Sequence, residues 1–276
     1  GVTPAQPFWQ QKALIALERM VGRITTHWVA VSQADRRQGI EWGLFTASKV
    51  SVVRPGIDPT AFAARIESPE RDRLRAMLGV APDQLLVGTV SCLKPQKSPE
   101  DFVRVAALVC QRVPAARCVL VGDGALRPKV EALLLAQGLQ DRVTLLGWRR
   151  DVAALLKTFD VFVLTSQWEG LPCAILEARA SRIPIVATRV GGAAEAIVEG
   201  IQGTLCPAGD VRAMAERVCQ ILEDERFRAD LRAGTQELPE EFTIQETLKQ
   251  YQSLYAYLLH ATRPSEDVMK LQPNRL

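Results

Sequence analysis

Two glutamates separated by seven residues carry the clearest chemical signal in the chain. Glu169 and Glu177 flank Gly170-Leu171-Pro172-Cys173-Ala174-Ile175-Leu176. Pro172 suits the first turn of a helix, which puts Glu169 in the preceding loop and Glu177 between one and two turns into the helix. At ~1.5 Å rise per helical residue plus the loop, the carboxylates stand roughly 10 Å apart. That is too far for a paired acid and base and suits the two ends of one long polar ligand. Between them lies a helix start, whose free N–H groups attract an anion. Carboxylate, anion site, carboxylate is the order in which a sugar, a diphosphate and a ribose would be met.

A second cluster, Ser91-Cys92-Leu93-Lys94-Pro95-Gln96-Lys97-Ser98-Pro99, holds two lysines where an apolar run gives way to a helical pattern. Lysine is a flexible point charge suited to phosphate. Taken alone, each cluster has an ordinary explanation: a solvated helix face for the glutamates, solvated loop cations for the lysines. Their placement in the fold decides between the readings.

The elements that must position them alternate. Short apolar runs at 85–91, 118–121, 143–146, 161–164 and 183–187 read as strands. Helical patterns fall between and after them, at 99–112, 126–137, 151–159, 172–181, 193–198 and 210–222. Strands alternating with helices predict an α/β domain with a doubly wound parallel sheet covered on both faces. In such a sheet the ligand sits beyond the carboxyl ends of the strands. The loops after Ser91, Val121, Leu146, Leu164 and Ala187 are therefore the places to look, and both clusters lie in them. Before Pro55 the pattern differs, with an amphipathic helix at 8–21, strands at 27–32 and 49–53, and a helix around 34–39. That is too little for a second doubly wound domain. With Gly1 as first residue, it reads as the tail of a preceding domain, joined near 55–58. A long helix at 243–259 carries Tyr251, Leu254, Tyr255, Leu258 and Leu259 on one side, and the polar stretch 263–276 is predicted to be a disordered tail.

Composition bounds the function. The 276 residues are 47% hydrophobic and 24% charged, which excludes a disordered or fibrous chain. With 34 Lys+Arg against 31 Asp+Glu, the net charge of +3 lacks the excess of a dedicated nucleic-acid binder. No apolar run approaches the ~20 residues that span a bilayer. Six cysteines form no C-x-x-C pair and read as reduced thiols of a cytoplasmic protein. Only two histidines, His27 and His260, are present, so a His-rich metal site is excluded.

Together these residues resemble the family 4 retaining glycosyltransferases, which have the two-domain GT-B fold. The marks are VRPGIDPTAF, TVSCLKPQKSPEDF, LVGDGALR, VTLLGWRRDV, the Glu169–Glu177 stretch, VATRVGGAAEAI and GTLCPAGD, in that order. The resemblance implies a Rossmann-like nucleotide-sugar domain at 55–242, a remnant of the acceptor domain at 1–54 and a crossover helix at 243–262. It implies transfer of a hexose from a UDP- or GDP-sugar to a glycan or lipid-linked acceptor hydroxyl. By residue, Lys97, with Lys94 nearby, would hold the donor diphosphate, Glu169 would touch the sugar hydroxyls and Glu177 the ribose. Backbone groups of Gly170, Leu171, Cys173 and Ala174 would line the phosphate, and Trp148 and Arg149 would border the base. No D-x-D triplet occurs, so transfer without a metal or other cofactor is expected. The family commonly has Gly-Arg where Ser91-Cys92 stands and Gly where Pro172 stands. Two other readings are a non-catalytic nucleotide-sugar binding module and an NAD(P)-dependent oxidoreductase.

Lesser features have plainer readings. Gly122-Asp123-Gly124 is part of a dinucleotide fingerprint whose third glycine is replaced by Arg127, and a tight turn explains it better. Gly191-Gly192 either approaches the sugar or meets a turn requirement. Glu195 reads as a first-turn helix charge rather than a catalyst, and His27 as a packed residue. Phe8-Trp9 with Lys12, Arg19 and Arg23 would pack on the rest of the acceptor domain, or lean on a membrane surface at the inner membrane face.

Overall fold

The computed structural model describes residues 2, 3, 5–64, 66–235 and 238–262. The expected tail at 263–276 lies outside them. In chain order the elements are α1 (Phe8–Ile24), β1 (Trp28–Ala30), α2 (Gln33–Glu41), β2 (Val50–Val52), α3 (Thr60–Ala63), α4 (Ser68–Met77), β3 (Leu85–Val90), α5 (Pro99–Arg112), β4 (Ala116–Val121), α6 (Arg127–Ala136), β5 (Val143–Gly147) and α7 (Val152–Leu156). They continue with β6 (Val161–Leu164), α8 (Cys173–Ala180), β7 (Ile185–Thr188), α9 (Ala193–Ala196), β8 (Gly203–Cys206), α10 (Val211–Glu223), α11 (Glu225–Gly234) and α12 (Ile244–Thr262).

Among the described residues six strands form one parallel sheet in the order β5-β4-β3-β6-β7-β8. The chain winds outward from β3 to one edge, returns, and winds from β6 to the other. The reversal falls between β3 and β6, where consecutive loops part and a ligand crevice opens at the carboxyl ends. Strands of continuous apolar residues can sit here because both sheet faces are covered. On one face Phe102, Val105 and Val109 of α5 pack with Val218 and Ile221 of α10. On the other Leu155 of α7, Ile175 and Leu176 of α8 and Phe242 close the core. Side chains stop fraying at several helix starts: Ser32 caps α2, Asp210 caps α10 and Asp224 caps α11.

The alternating pattern predicts most of these elements within a few residues. It does not reveal β8, α3, α4 or α11. β8 is a four-residue edge strand, too short to show a period. Helix α4 (SPERDRLRAM) hides because a buried residue on its packed side is Arg75 rather than an apolar one. Arg75 meets Asp160, which accepts from the Leu86 N–H at 2.8 Å and from Arg75 at 3.0 Å. Arg71 reaches the same carboxylate at 3.1 Å and Arg232 at 3.3 Å. One buried acid thus ties α4 and α11 to the amino ends of β3 and β6.

The first 54 residues pack beside this sheet. β1 and β2 form a separate parallel pair, and His27 is hydrogen-bonded to Ser51 at 2.9 Å, consistent with a packed role. The junction meets the returning chain: the Ile57 N–H donates to the Phe242 carbonyl, and the Ile244 N–H to the Ile57 carbonyl, both at 3.0 Å. Helix α12 starts there. Its Tyr255 and Leu259 are exposed, as are Phe8, Trp9, Met20 and Ile24 of α1. No helix among the described residues is long and apolar enough to cross a membrane.

Asp160→Ala strips the buried Arg75 and the Leu86 N–H of a partner at once. Urea denaturation is expected to show a loss of about 3–5 kcal/mol, the usual cost of breaking a buried ion pair from one side.

Candidate functional site

The reversal point brings the two sequence clusters together. Lys97 lies in the loop after β3 and Glu169 in the loop after β6, and they form a direct ion pair. Glu169 is buried. A carboxylate taken out of water must be compensated by hydrogen bonds. Glu169 accepts from the Ser166 hydroxyl at 2.6 Å, from the Lys97 ammonium, and from the Gln96 carboxamide at 3.3 Å. The sequence separates Lys97 and Glu169 into different roles; the fold presses them into contact.

Backbone contacts hold this pair in place. The Gln167 N–H donates to the Gln96 carbonyl at 2.8 Å, and the Gln96 side chain donates to the Trp168 carbonyl at 2.9 Å. The Thr165 hydroxyl donates to the Lys97 and Ser98 carbonyls, both at 3.0 Å. A third loop closes from behind. Gly191 adopts φ +47, and a Cβ there would stand 1.8 Å from the Glu169 carbonyl oxygen. The requirement at Gly191 is therefore close backbone approach to Glu169 together with a left-handed turn. Gly122 has a parallel explanation: a Cβ would meet the Ser91 carbonyl at 2.0 Å, which supports the tight-turn reading of Gly122-Asp123-Gly124.

Helix α8 starts at Cys173, and no side chain caps its amino end. Cys173 and Ala174 stand in the first turn, where backbone N–H groups have no intrahelical acceptor. Glu177 lies four residues after Cys173, on the same helix face. The Cys173 thiol is held above its ordinary pKa by burial first, then by the charge of Glu177, with Glu169 adding to the effect and Lys97 opposing it. The Lys97–Glu169 ion pair thus lies in the loops before this helix start, and Glu177 follows it by about one turn. Glu177 is half-buried and its pKa is raised by desolvation alone. Among the described residues its carboxylate has no hydrogen-bond partner and is partly open to solvent.

The remaining residues from the sequence reading spread outward. Gly170 and the buried Leu171 connect Glu169 to α8. Lys94 is exposed at the start of the short turn that carries Lys97. Trp148 is 70% exposed beyond the edge strand β5, and Arg149 is paired with Asp151 at 2.6 Å. These two stand two strands away from the reversal point. The six cysteines are free thiols; Cys92 and Cys173 are half-buried and the other four buried. Among the described residues no group of three or more His, Cys, Asp or Glu is placed to hold a metal.

The fold also assembles residues the motifs do not point to. A cleft of about 670 Å³ separates Trp168, Glu169 and Gly170 from Asp35, Gln38 and Trp42 of the first 54 residues. The Asp35 pKa is raised by burial, with the charge of Glu195 adding to the shift and a Ser32 hydrogen bond opposing it. Glu195, the expected first-turn charge of α9, reaches across the cleft's back. It accepts from the Gln33 and Ala34 N–H groups at 3.1 and 2.9 Å and from Arg54 at 2.9 Å, so it also caps α2. Ser166, Gln96 and Thr165 carry a positional signal only, at the carboxyl ends of β3 and β6.

The charged form of Glu177 is disfavoured by burial, which fixes a sign. Its cost to stability is absent below the ordinary glutamate value of ~4.3, sets in as pH rises through the raised folded value, and is complete above it. Glu177→Gln is expected to melt higher than the unaltered chain at pH 7.5 and to converge with it near pH 4, read by calorimetry. Gly191→Ala is expected to destabilise the chain and disorder Glu169, read by the loss of any ligand-induced thermal shift.

Residues 70–238 match the model of the family described as glycosyl transferases group 1. The UDP-Gal:alpha-D-GlcNAc-diphosphoundecaprenol alpha-1,3-galactosyltransferase of Escherichia coli is 28% identical over 242 residues, 87% of this chain and 62% of that protein. The N-acetyl-alpha-D-glucosaminyl L-malate synthase of Bacillus anthracis is 31% identical over 184 residues, 66% of this chain and 48% of that protein. The chain thus spans about half to two thirds of the length of these relatives. The crystal structure of Anabaena Alr3699/HepE in complex with UDP and glucose superposes with a TM-score of 0.79 at 26% identity, covering 89% of this chain and 67% of that one. The sheet order, the paired loops at its reversal and the family match over more than half of the chain agree, and this chain belongs to the group 1 glycosyl transferases, with the doubly wound sheet of a GT-B fold.

Proposed function

We propose that this chain is the donor-binding part of a retaining hexosyltransferase, acting on a nucleotide diphosphate sugar and an acceptor hydroxyl of a glycan or lipid-linked glycan. The observation that carries the reading is the Lys97–Glu169 ion pair joining the loops after β3 and β6 ahead of the uncapped start of α8, with Glu177 one turn into that helix. The solved relative that holds UDP and glucose supports the ligand class. UDP is the nucleotide favoured, and GDP is tested beside it. Residues 1–54 then belong to the acceptor domain, 55–242 to the donor domain, and 243–262 return toward the former.

In this reading Glu177 accepts the ribose hydroxyls and gains, on binding, the donors that burial denies it. The first-turn N–H groups of α8 and the Lys97 ammonium face the diphosphate. Lysine has three N–H donors, so Lys97 can keep Glu169 while reaching a phosphate oxygen. Glu169 holds the sugar hydroxyls at the mouth of the cleft. Transfer breaks the bond between the anomeric carbon and the β-phosphate oxygen. The electron pair leaves with the nucleoside diphosphate, the acceptor oxygen forms the new bond to the anomeric carbon, and its proton passes to the departing β-phosphate oxygen. Lys97 and the helix start stabilise the charge that develops on the leaving group. The acceptor enters through the cleft between Glu169 and Asp35. Helix α1, with Phe8 and Trp9 exposed and Lys12 over the Phe8 ring at 4.4 Å, faces the rest of the acceptor domain or an inner membrane surface.

Calorimetric titration with UDP, GDP, uridine and NAD tests the reading. Glu177→Ala is expected to weaken UDP by about 10- to 100-fold, the worth of hydrogen bonds to a charged group. Lys97→Ala is expected to weaken UDP far more than uridine. Glu169→Ala is expected to leave UDP affinity nearly unchanged and to lower the affinity gained from the attached sugar. Stabilisation by NAD and by neither nucleoside diphosphate would remove the proposal.

A further inference from the structure

A second concave site lies at the opposite end of the sheet from Glu169. It is a cavity of about 390 Å³ where α3, α4 and α11 meet the turns that lead into β6 and β7. Arg71, Lys157, Arg182 and Arg232 line it, beside apolar walls that include Phe62 and Phe159, and no carboxylate among the described residues does. Asp160, behind the lining, is already shared among Arg71, Arg75 and Arg232. One negative charge therefore serves three guanidiniums, and Lys157 and Arg182 have no acidic partner among the described residues.

Donor capacity is left over. The Lys157 ammonium gives one hydrogen bond, to the Ala61 carbonyl at 3.0 Å, and retains two N–H groups. Arg182 makes no side-chain hydrogen bond or ion pair among the described residues. Two lining residues hold covered polar atoms without a partner, the Ser181 hydroxyl and the Arg232 Nε. The Arg232 pKa is lowered by burial, with Asp160 opposing and repulsion from Arg71 and Arg228 adding to the effect, so an added anion would relieve the strain on it. The backbone points the same way. Arg182 sits at φ +57 directly after the last turn of α8, a position where glycine is the usual choice. The chain tolerates a left-handed arginine there, and that arginine faces the cavity.

We propose that this cavity binds a phosphate-bearing group, held by Arg182, Lys157, Arg71 and Arg232 with the Ser181 hydroxyl as a further donor. Guanidiniums converging from separate elements match the several oxygens of a phosphate or diphosphate better than a single carboxylate. The site is distinct from the one around Glu169, because it lies before β6 and β7 rather than after them. Two sources supply this chemistry, a free phosphate compound or the headgroup of an anionic lipid.

Titration of the full chain with inorganic pyrophosphate, with UDP held at saturation, tests the proposal. The double substitution Lys157→Ser, Arg182→Glu leaves Asp160 and its three arginines in place, and its melting curve controls for folding. The unaltered chain is expected to bind pyrophosphate under UDP, and the double variant about tenfold or more weakly, with UDP affinity unchanged. Should the double variant melt early, Arg182→Ser alters one exposed side chain and is expected to weaken pyrophosphate several-fold. Equal affinities in variant and unaltered chain, or loss of binding in Lys97→Ala instead, would overturn the proposal. Sedimentation with vesicles of phosphatidylglycerol and phosphatidylcholine, against phosphatidylcholine alone, separates the sources. Retention on the anionic vesicles that pyrophosphate displaces and the double variant lacks identifies a lipid headgroup; pyrophosphate binding without retention identifies a free phosphate compound.

Discussion

A buried carboxylate held by a lysine from another loop is the constraint on which this structure turns. Glu169 has left water, and Lys97, Ser166 and Gln96 replace the lost hydration. Those partners come from two loops that are distant in sequence and adjacent only because the sheet reverses its winding between β3 and β6. The carbonyls of Lys97 and Ser98, bound by Thr165, and the close approach of Gly191 then become requirements rather than details. Each removes a way for Glu169 to drift from the lysine.

Among the described residues the same arrangement leaves one partly buried acid with no hydrogen-bond partner. Glu177 is half-buried, one turn into a helix whose first N–H groups are uncapped. Burial without a partner costs stability unless a ligand supplies the donors. Glu195 shows the contrast. It carries the same functional group, but two backbone N–H groups and Arg54 satisfy it, and its task is to tie the first 54 residues to the sheet.

Charge is distributed unevenly between the two ends of the sheet. At the carboxyl ends Lys97 is paired with Glu169, and Glu177 follows in α8. At the amino ends four cations line one cavity, and the nearest acid is shared among three arginines. The near-neutral composition of the chain conceals this polarity, because composition sums over both ends.

Much of the architecture was legible in one dimension. Apolar runs of four to six residues mark strands because the sheet is covered on both faces, and the seven residues between Glu169 and Glu177 mark a loop and a helix start because proline favours the amino end of a helix, Pro172 standing at the N-cap one residue before the helix. Those are local properties, set by burial and backbone geometry within a few residues. The strand β8 and the helix α4 escaped because their stability comes from elsewhere: an edge pairing in one case, Asp160 in the other. The contact of Lys97 with Glu169, the cleft facing Asp35, the reach of Glu195 to α2 and the basic cavity were decided only by the tertiary structure. Each joins residues far apart in the chain, and which of them meet depends on the order in which the strands pair, a choice that no local pattern records.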